Sequence, residues 1–92
     1  MSKRTKLAED IVTSIAAFIR ARNVTADNLA LLKESFDKMG LKVRELKSFF
    51  IKERMSRGWD DLFFPVMDCI RYFDKDNTVP VDWFIKRGND WS

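Results

Sequence analysis

The sequence has no histidine, one cysteine, two prolines and three glycines in 92 residues. Each shortage excludes something. Without histidine the usual base near neutral pH is missing, and with it Ser-His-Asp triads, Cys-His pairs and histidine metal sites. A single cysteine, Cys69, cannot form an internal disulfide, which suits a reducing compartment. So few glycines and prolines leave too little punctuation for a sandwich or small barrel, which needs a turn every 8–12 residues or so. No apolar run reaches the roughly 18 residues of a membrane span. The basic opening Met1-Ser-Lys-Arg-Thr-Lys is followed by Glu9 and Asp10 rather than by the apolar stretch of a signal peptide, so a cytoplasmic, intracellular protein is expected.

What is present is apolar and aromatic material. The hydrophobic fraction is 46%, with eight Phe, three Trp and four Met, enough for one dense core despite 34% charged residues. Leu7, Ala8, Ile11, Val12, Ile15, Phe18 and Ile19 recur at helical spacing and predict a first helix over 5–22, with Thr5 as its N-cap. Thr25 caps a second helix carrying Leu29, Leu32, Phe36 and Met39, and Gly40 ends it. A third helix over 43–56 sets Val43, Leu46, Phe49 and Phe50 on one face, with Ile51 and Met55 roughly opposite. Apolar on two sides, it is either packed on one side and offering the other to a partner or sandwiched at the centre of the bundle, and the central position is expected. Pro65 and Pro80 each suit the first turn of a further helix, and Gly88 reads as a stop. The expected fold is all-α: one compact domain over 1–92, a bundle of four to five helices around a central third helix. Residues 1–4 and 89–92 are expected as flexible tails, and Pro65–Ile85 is expected to pack over Ile51 and Met55.

No motif points to catalysis. Cys69 lies among apolar neighbours and reads as a buried, inert thiol. Asp60, Asp61 and Asp68 are the densest carboxylates, and the first two read as helix-initiating residues. The loop Asp74-x-Asp76-x-Thr78 looks like the start of a calcium loop, yet the required Gly is Val79 and the bidentate Glu is Ile85. No cofactor, metal or small-molecule substrate is expected.

Two binding readings remain. Charge is unevenly spread: residues 41–58 carry net +4 and residues 59–92 net −3 within an overall +3. The first reading is a non-catalytic protein-binding adaptor, inhibitor or small regulator that engages another protein through Ile51, Met55, Trp59, Trp83 and Trp91. Trp91, next to the end of the sequence, is expected either to pack back or to dock on a partner. The opposite charges of the two halves also allow self-association into a homo-oligomer. The second reading is a DNA- or RNA-binding regulator with a degenerate helix-turn-helix at about 26–56. It would use Arg44, Lys47, Arg54 and Arg57, helped by Lys3, Arg4 and Lys6 from the N-terminal segment. The match to that motif is partial, because the position four before the turn glycine is normally small and here is Phe36.

Overall fold

The first helix, α1, runs over Lys3–Arg20, and its N-cap is Ser2, whose hydroxyl accepts the Thr5 N–H at 3.1 Å. Thr5, expected as the cap, instead lies in the first turn, because Ser2 supplies the same chemistry three residues earlier. Lys3 and Arg4 are therefore helical rather than part of a tail. The helix ends at Arg20 and not at 22, because Arg22 turns left-handed at φ 51°. There the Asn23 N–H reaches the Phe18 carbonyl and the Arg22 N–H reaches that of Ile19. This is the closure a helix end usually makes with glycine.

The second helix, α2, spans Ala26–Lys38 and begins where Thr25 Oγ1 accepts the Asn28 N–H at 3.0 Å. Gly40, at φ 61°, closes it as expected. α3 spans Val43–Glu53, shorter than the expected 43–56, with Arg54–Gly58 as a turn that ends at left-handed Gly58. A 3₁₀ turn over Asp60–Leu62 then leads into α4, Phe63–Ile70, which a second 3₁₀ turn extends over Arg71–Phe73. Pro65 is the third residue of α4 rather than its first. The first four N–H groups of a helix have no internal partner, so proline is tolerated at any of the early positions. α5 is Val81–Asn89, with Pro80 as its N-cap.

The computed structural model describes residues 2–91, and these form an all-helical bundle with no strand among them. Of the two expected tails, residues 1 and 92 lie outside the described residues. The helix that touches all four others is α1, whose Ala8, Ile11, Val12, Ile15, Ala16 and Ile19 are buried. α3 packs chiefly on α1 and on α4. Its inward residues are those the periodicity indicates: Leu46, Phe49 and Phe50 are buried. The expectation that Pro65–Ile85 covers Ile51 and Met55 is overturned. α4 arrives on the Phe50 side, where the Phe63 and Phe50 rings lie 6.0 Å apart, and α5 crosses α4, α1 and α2. Ile51 and Met55 are left 49% and 70% exposed. No described helix is long and apolar enough to cross a membrane.

Gly88 is not a stop. It is a buried residue inside α5, where a Cβ would lie 2.5 Å from Val24 Cγ2. The glycine lets α5 approach the α1–α2 connection closely. Asn89 then locks that approach: its side chain accepts the Val24 N–H and donates to the Val24 carbonyl, both at 2.9 Å. Trp91 packs back on the domain and donates its indole N–H to the Ile19 carbonyl at 3.0 Å. Arg22 lies over the Trp91 ring, 5.2 Å from its centroid, and donates to the Asn89 and Trp91 carbonyls. The segment 89–91, expected as a tail, is thus tied to α1 and the connection that follows it.

Candidate functional site

Two surfaces could receive a partner. The first is the outward side of α3 and the turn after it. On a helix of about 100° per residue, Ile51 lies within roughly 20° of Arg44, with Lys47 on one flank and Ser48 and Lys52 on the other. All of these except half-buried Lys47 are exposed, as is Met55 in the turn. Among the described residues, Lys42, Arg44, Lys47 and Lys52 enter no ion pair, whereas every carboxylate of α3 does. Glu45 pairs with Arg4 at 2.6 Å, and Glu53 with Arg57 at 3.5 Å, both carboxylates staying partly exposed. α3 therefore shows solvent an arc of one charge sign around exposed aliphatic side chains.

The second surface is a hollow of about 510 Å³ between α4 and α5, where Phe64, Pro65, Trp83 and Trp91 meet Asp68 and Arg87. Its aromatic faces are already occupied. Arg87 and Arg71 lie 4.9 and 5.5 Å from the Trp83 ring, and Arg87 also pairs with Asp68 at 3.6 Å. Phe64, 77% exposed, remains open at the rim. Phe64 is not among the expected site residues, because a helix taken to start at Pro65 gives it no register; with α4 beginning at Phe63 it falls opposite Val66 and Ile70.

Of the expected protein-binding residues, Ile51 and Met55 share one surface, and Trp83 and Trp91 share the other. Trp59 belongs to neither: it is only 8% exposed and stacks near Phe50 with centroids 6.2 Å apart. The expected nucleic-acid residues are scattered. Arg4 donates to the Met39 and Gly40 carbonyls and to Glu45, stapling the start of α1 to the α2–α3 turn. Lys6 pairs with Glu9 and Asp10 along α1. Arg54 pairs with Asp60 and covers the Phe63 ring at 4.7 Å. Arg57 pairs with Glu9 and lies over both Phe49 and Trp59. Exposed Lys3 is in the first turn of α1, leaving Arg44 and Lys47 together on α3. α2 and α3 scarcely touch each other; each packs on α1, and the Phe36 ring meets Phe73 at 5.3 Å instead.

The titratable groups do structural work. Burial pushes the Cys69 thiol up to about 12, and the adjacent Asp68 charge adds to the effect. Asp61 is held below the ordinary carboxylate value of 3.8 by the hydrogen bonds it accepts from Arg20, at 3.0 and 3.1 Å. Arg57 does the same to Glu9, and Arg4 to Glu45, relative to 4.5. In the loop after α4, the Asp74 carboxylate accepts the Asp76 N–H at 3.1 Å and so serves the turn. No group of three or more acidic or cysteine side chains among the described residues is arranged to hold a metal.

The depressed carboxylates fix a pH dependence. A carboxylate whose pKa is lower folded than unfolded binds more protons when unfolded, so its contribution is complete above the unfolded value and lost as pH falls through the folded one. The urea midpoint is expected to be flat from pH 7 to 5 and to fall below the ordinary values of 4.5 and 3.8. Arg4→Gln and Arg57→Gln should each flatten that fall. Stability that rises on acidification would contradict all three pairs.

Fold and surface together define a small all-α bundle whose conspicuous open feature is a cationic helix face with aliphatic side chains at its middle. No protein-family model matches the chain, and neither does any curated protein or solved structure.

Proposed function

We propose that the chain is a non-catalytic, cytoplasmic protein-binding module, an adaptor or small regulator, that engages its partner through the outward face of α3 and the turn after it. The observation that carries this reading is the exposure of Ile51 and Met55 amid the unpaired Arg44, Lys47 and Lys52. A water-exposed aliphatic pair ringed by free charge resembles the apolar centre and polar rim of an interface. Two further observations weigh against chemistry. An acid–base carboxylate wants a raised pKa, and Asp61 has a lowered one. A nucleophilic thiol wants a partly exposed, electropositive setting, and Cys69 is buried beside Asp68.

The test is a photo-crosslinking side chain placed at Met55 in cells that make the protein, compared with one at Leu31 of α2, which is 64% exposed. A discrete protein adduct from position 55 and none from position 31 is the expected result. Adducts to nucleic acid, or equal labelling from both positions, would remove the reading.

A further inference from the structure

We infer that the partner segment is an acidic amphipathic helix laid along α3, an inference that rests on the protein-binding reading above. Charge complementarity is the first argument. The free cations Arg44, Lys47 and Lys52 line the outward arc of α3, and Lys42 stands just before its first turn. The two carboxylates of α3, Glu45 and Glu53, are engaged by Arg4 and Arg57, and Glu45 also feels the nearby Arg44 charge, while none of the three cations enters an ion pair. Among the described residues, eight of the other thirteen cations are paired, among them Arg20 with Asp61, Lys33 with Asp37, Lys38 with Glu34 and Arg87 with Asp68. The five that are not, Lys3, Arg22, Arg71, Lys75 and Lys86, are spread over other elements. The outward arc thus carries three cations without ion-pair partners, which the anions of a partner would match.

Shape is the second argument. Arg44, Ser48 and Lys52 follow one another at i, i+4 and i+8, one turn apart on the same side of α3. Small Ser48 borders a hollow of about 410 Å³ between α3 and α1, floored by Thr5, Ala8 and Phe49. Its edges carry the paired carboxylates Glu45 and Glu53 as well as Arg44 and Lys52. Ile51 lies outside the hollow, across Arg44 and Ser48 from it. An apolar side chain of a helix lying along α3 would fill it, with carboxylates one turn to either side meeting Arg44 and Lys52. Anchors spaced three and four residues apart are how an amphipathic helix reads such a surface.

Phosphate-rich partners fit less well. A nucleic-acid backbone would bring charge against Ile51 and Met55 at the middle of the arc, where desolvation is unrewarded. An anionic bilayer would want bulky aromatic anchors on this face, but exposed Phe64 borders the α4–α5 hollow instead.

The experiment titrates the full chain with a synthetic 18-residue helical peptide carrying Leu along one face and Glu on both flanks, followed by calorimetry at about 50 and 300 mM salt. Binding should weaken about tenfold with Met55→Asp and about tenfold with the double change Arg44→Glu, Lys47→Glu. It should weaken several-fold at the higher salt. Leu31→Asp should leave it unchanged, and circular dichroism checks that each surface variant is folded. A twin peptide with Lys in place of Glu should not bind.

Failure of the acidic peptide alongside a discrete protein crosslink at position 55 would overturn the helix inference and leave the binding surface in place. Failure of both would remove the two readings together. Peptide binding indifferent to Met55→Asp would overturn the inference. So would tighter binding to duplex DNA or to phosphatidylserine-containing vesicles with the same mutational pattern.

Discussion

A Phe36→Ala variant should lose about 3–5 kcal/mol of stability, the usual cost of emptying a buried phenylalanine site. Phe36 is only 1% exposed, and its ring lies 5.3 Å from that of Phe73 in a tilted pair. The ring reaches from α2 to the 3₁₀ turn after α4, so its loss would loosen the join between the two halves of the chain. A domain of this length is stable by roughly 5–14 kcal/mol, and the variant would sit near the edge of folding at room temperature. The result also separates two structures. In a helix-turn-helix this position lies where two helices cross closely, and alanine would be at home there. In the bundle described above, alanine leaves a cavity. A urea midpoint unchanged by the substitution would contradict the Phe36–Phe73 packing.

Gly88→Ala is expected to destabilise by about 1–3 kcal/mol, against the direction that helix propensity alone gives. Alanine inside an unencumbered helix gains about 1 kcal/mol over glycine. Here the new methyl would meet three side-chain atoms of Val24, at 2.5, 3.1 and 3.3 Å. Val24 has little room to retreat, because its N–H and carbonyl are both held by the Asn89 side chain. Val24→Ala removes the two methyls that clash, at its own cost as a buried side chain. In that background Gly88→Ala should become neutral or favourable. A double-mutant cycle in denaturant measures this coupling, and additivity would show that the helices do not approach so closely.

Much of the architecture can be read from local chemistry. Thr25 and Gly40 bracket α2 as their residue types dictate: a hydroxyl that accepts an orphan N–H, and a residue that turns left-handed without steric cost. The stripe Leu46, Phe49, Phe50 states which side of α3 goes inward. Pro65 and Pro80 mark the starts of α4 and α5 to within two residues. Where the local reading failed, a second acceptable residue stood nearby. Ser2 took the cap expected of Thr5, and Arg22 adopted the left-handed turn that no glycine announced.

The candidate site was legible only in part. Ile51 and Met55 are visible in the sequence as an apolar pair off the main stripe, but periodicity cannot say whether another helix covers them. The same limit applies to the basic residues. Arg54 and Arg57 look as available as Arg44 and Lys47, yet one covers Phe63 and the other is clamped between Glu9 and Glu53. Gly88 carries the sequence signature of a helix stop and Trp91 that of a loose end, and both are instead points of close packing.

The division follows the range of the forces. Caps, left-handed turns, prolines and apolar spacing act over a few residues, so the sequence by itself determined an all-helical chain, its approximate helix limits and the inward face of each helix. The ties that decide coverage and charge pairing join residues far apart: Arg4 to Glu45 across 41 positions, Arg57 to Glu9 across 48, Asn89 to Val24 across 65. Only the tertiary structure could assign those partners, because a side chain's exposure depends on which distant helix reaches it. By bringing α4 to the Phe50 side and pairing both α3 carboxylates with Arg4 and Arg57, the fold left Ile51, Met55 and their neighbouring cations open to solvent.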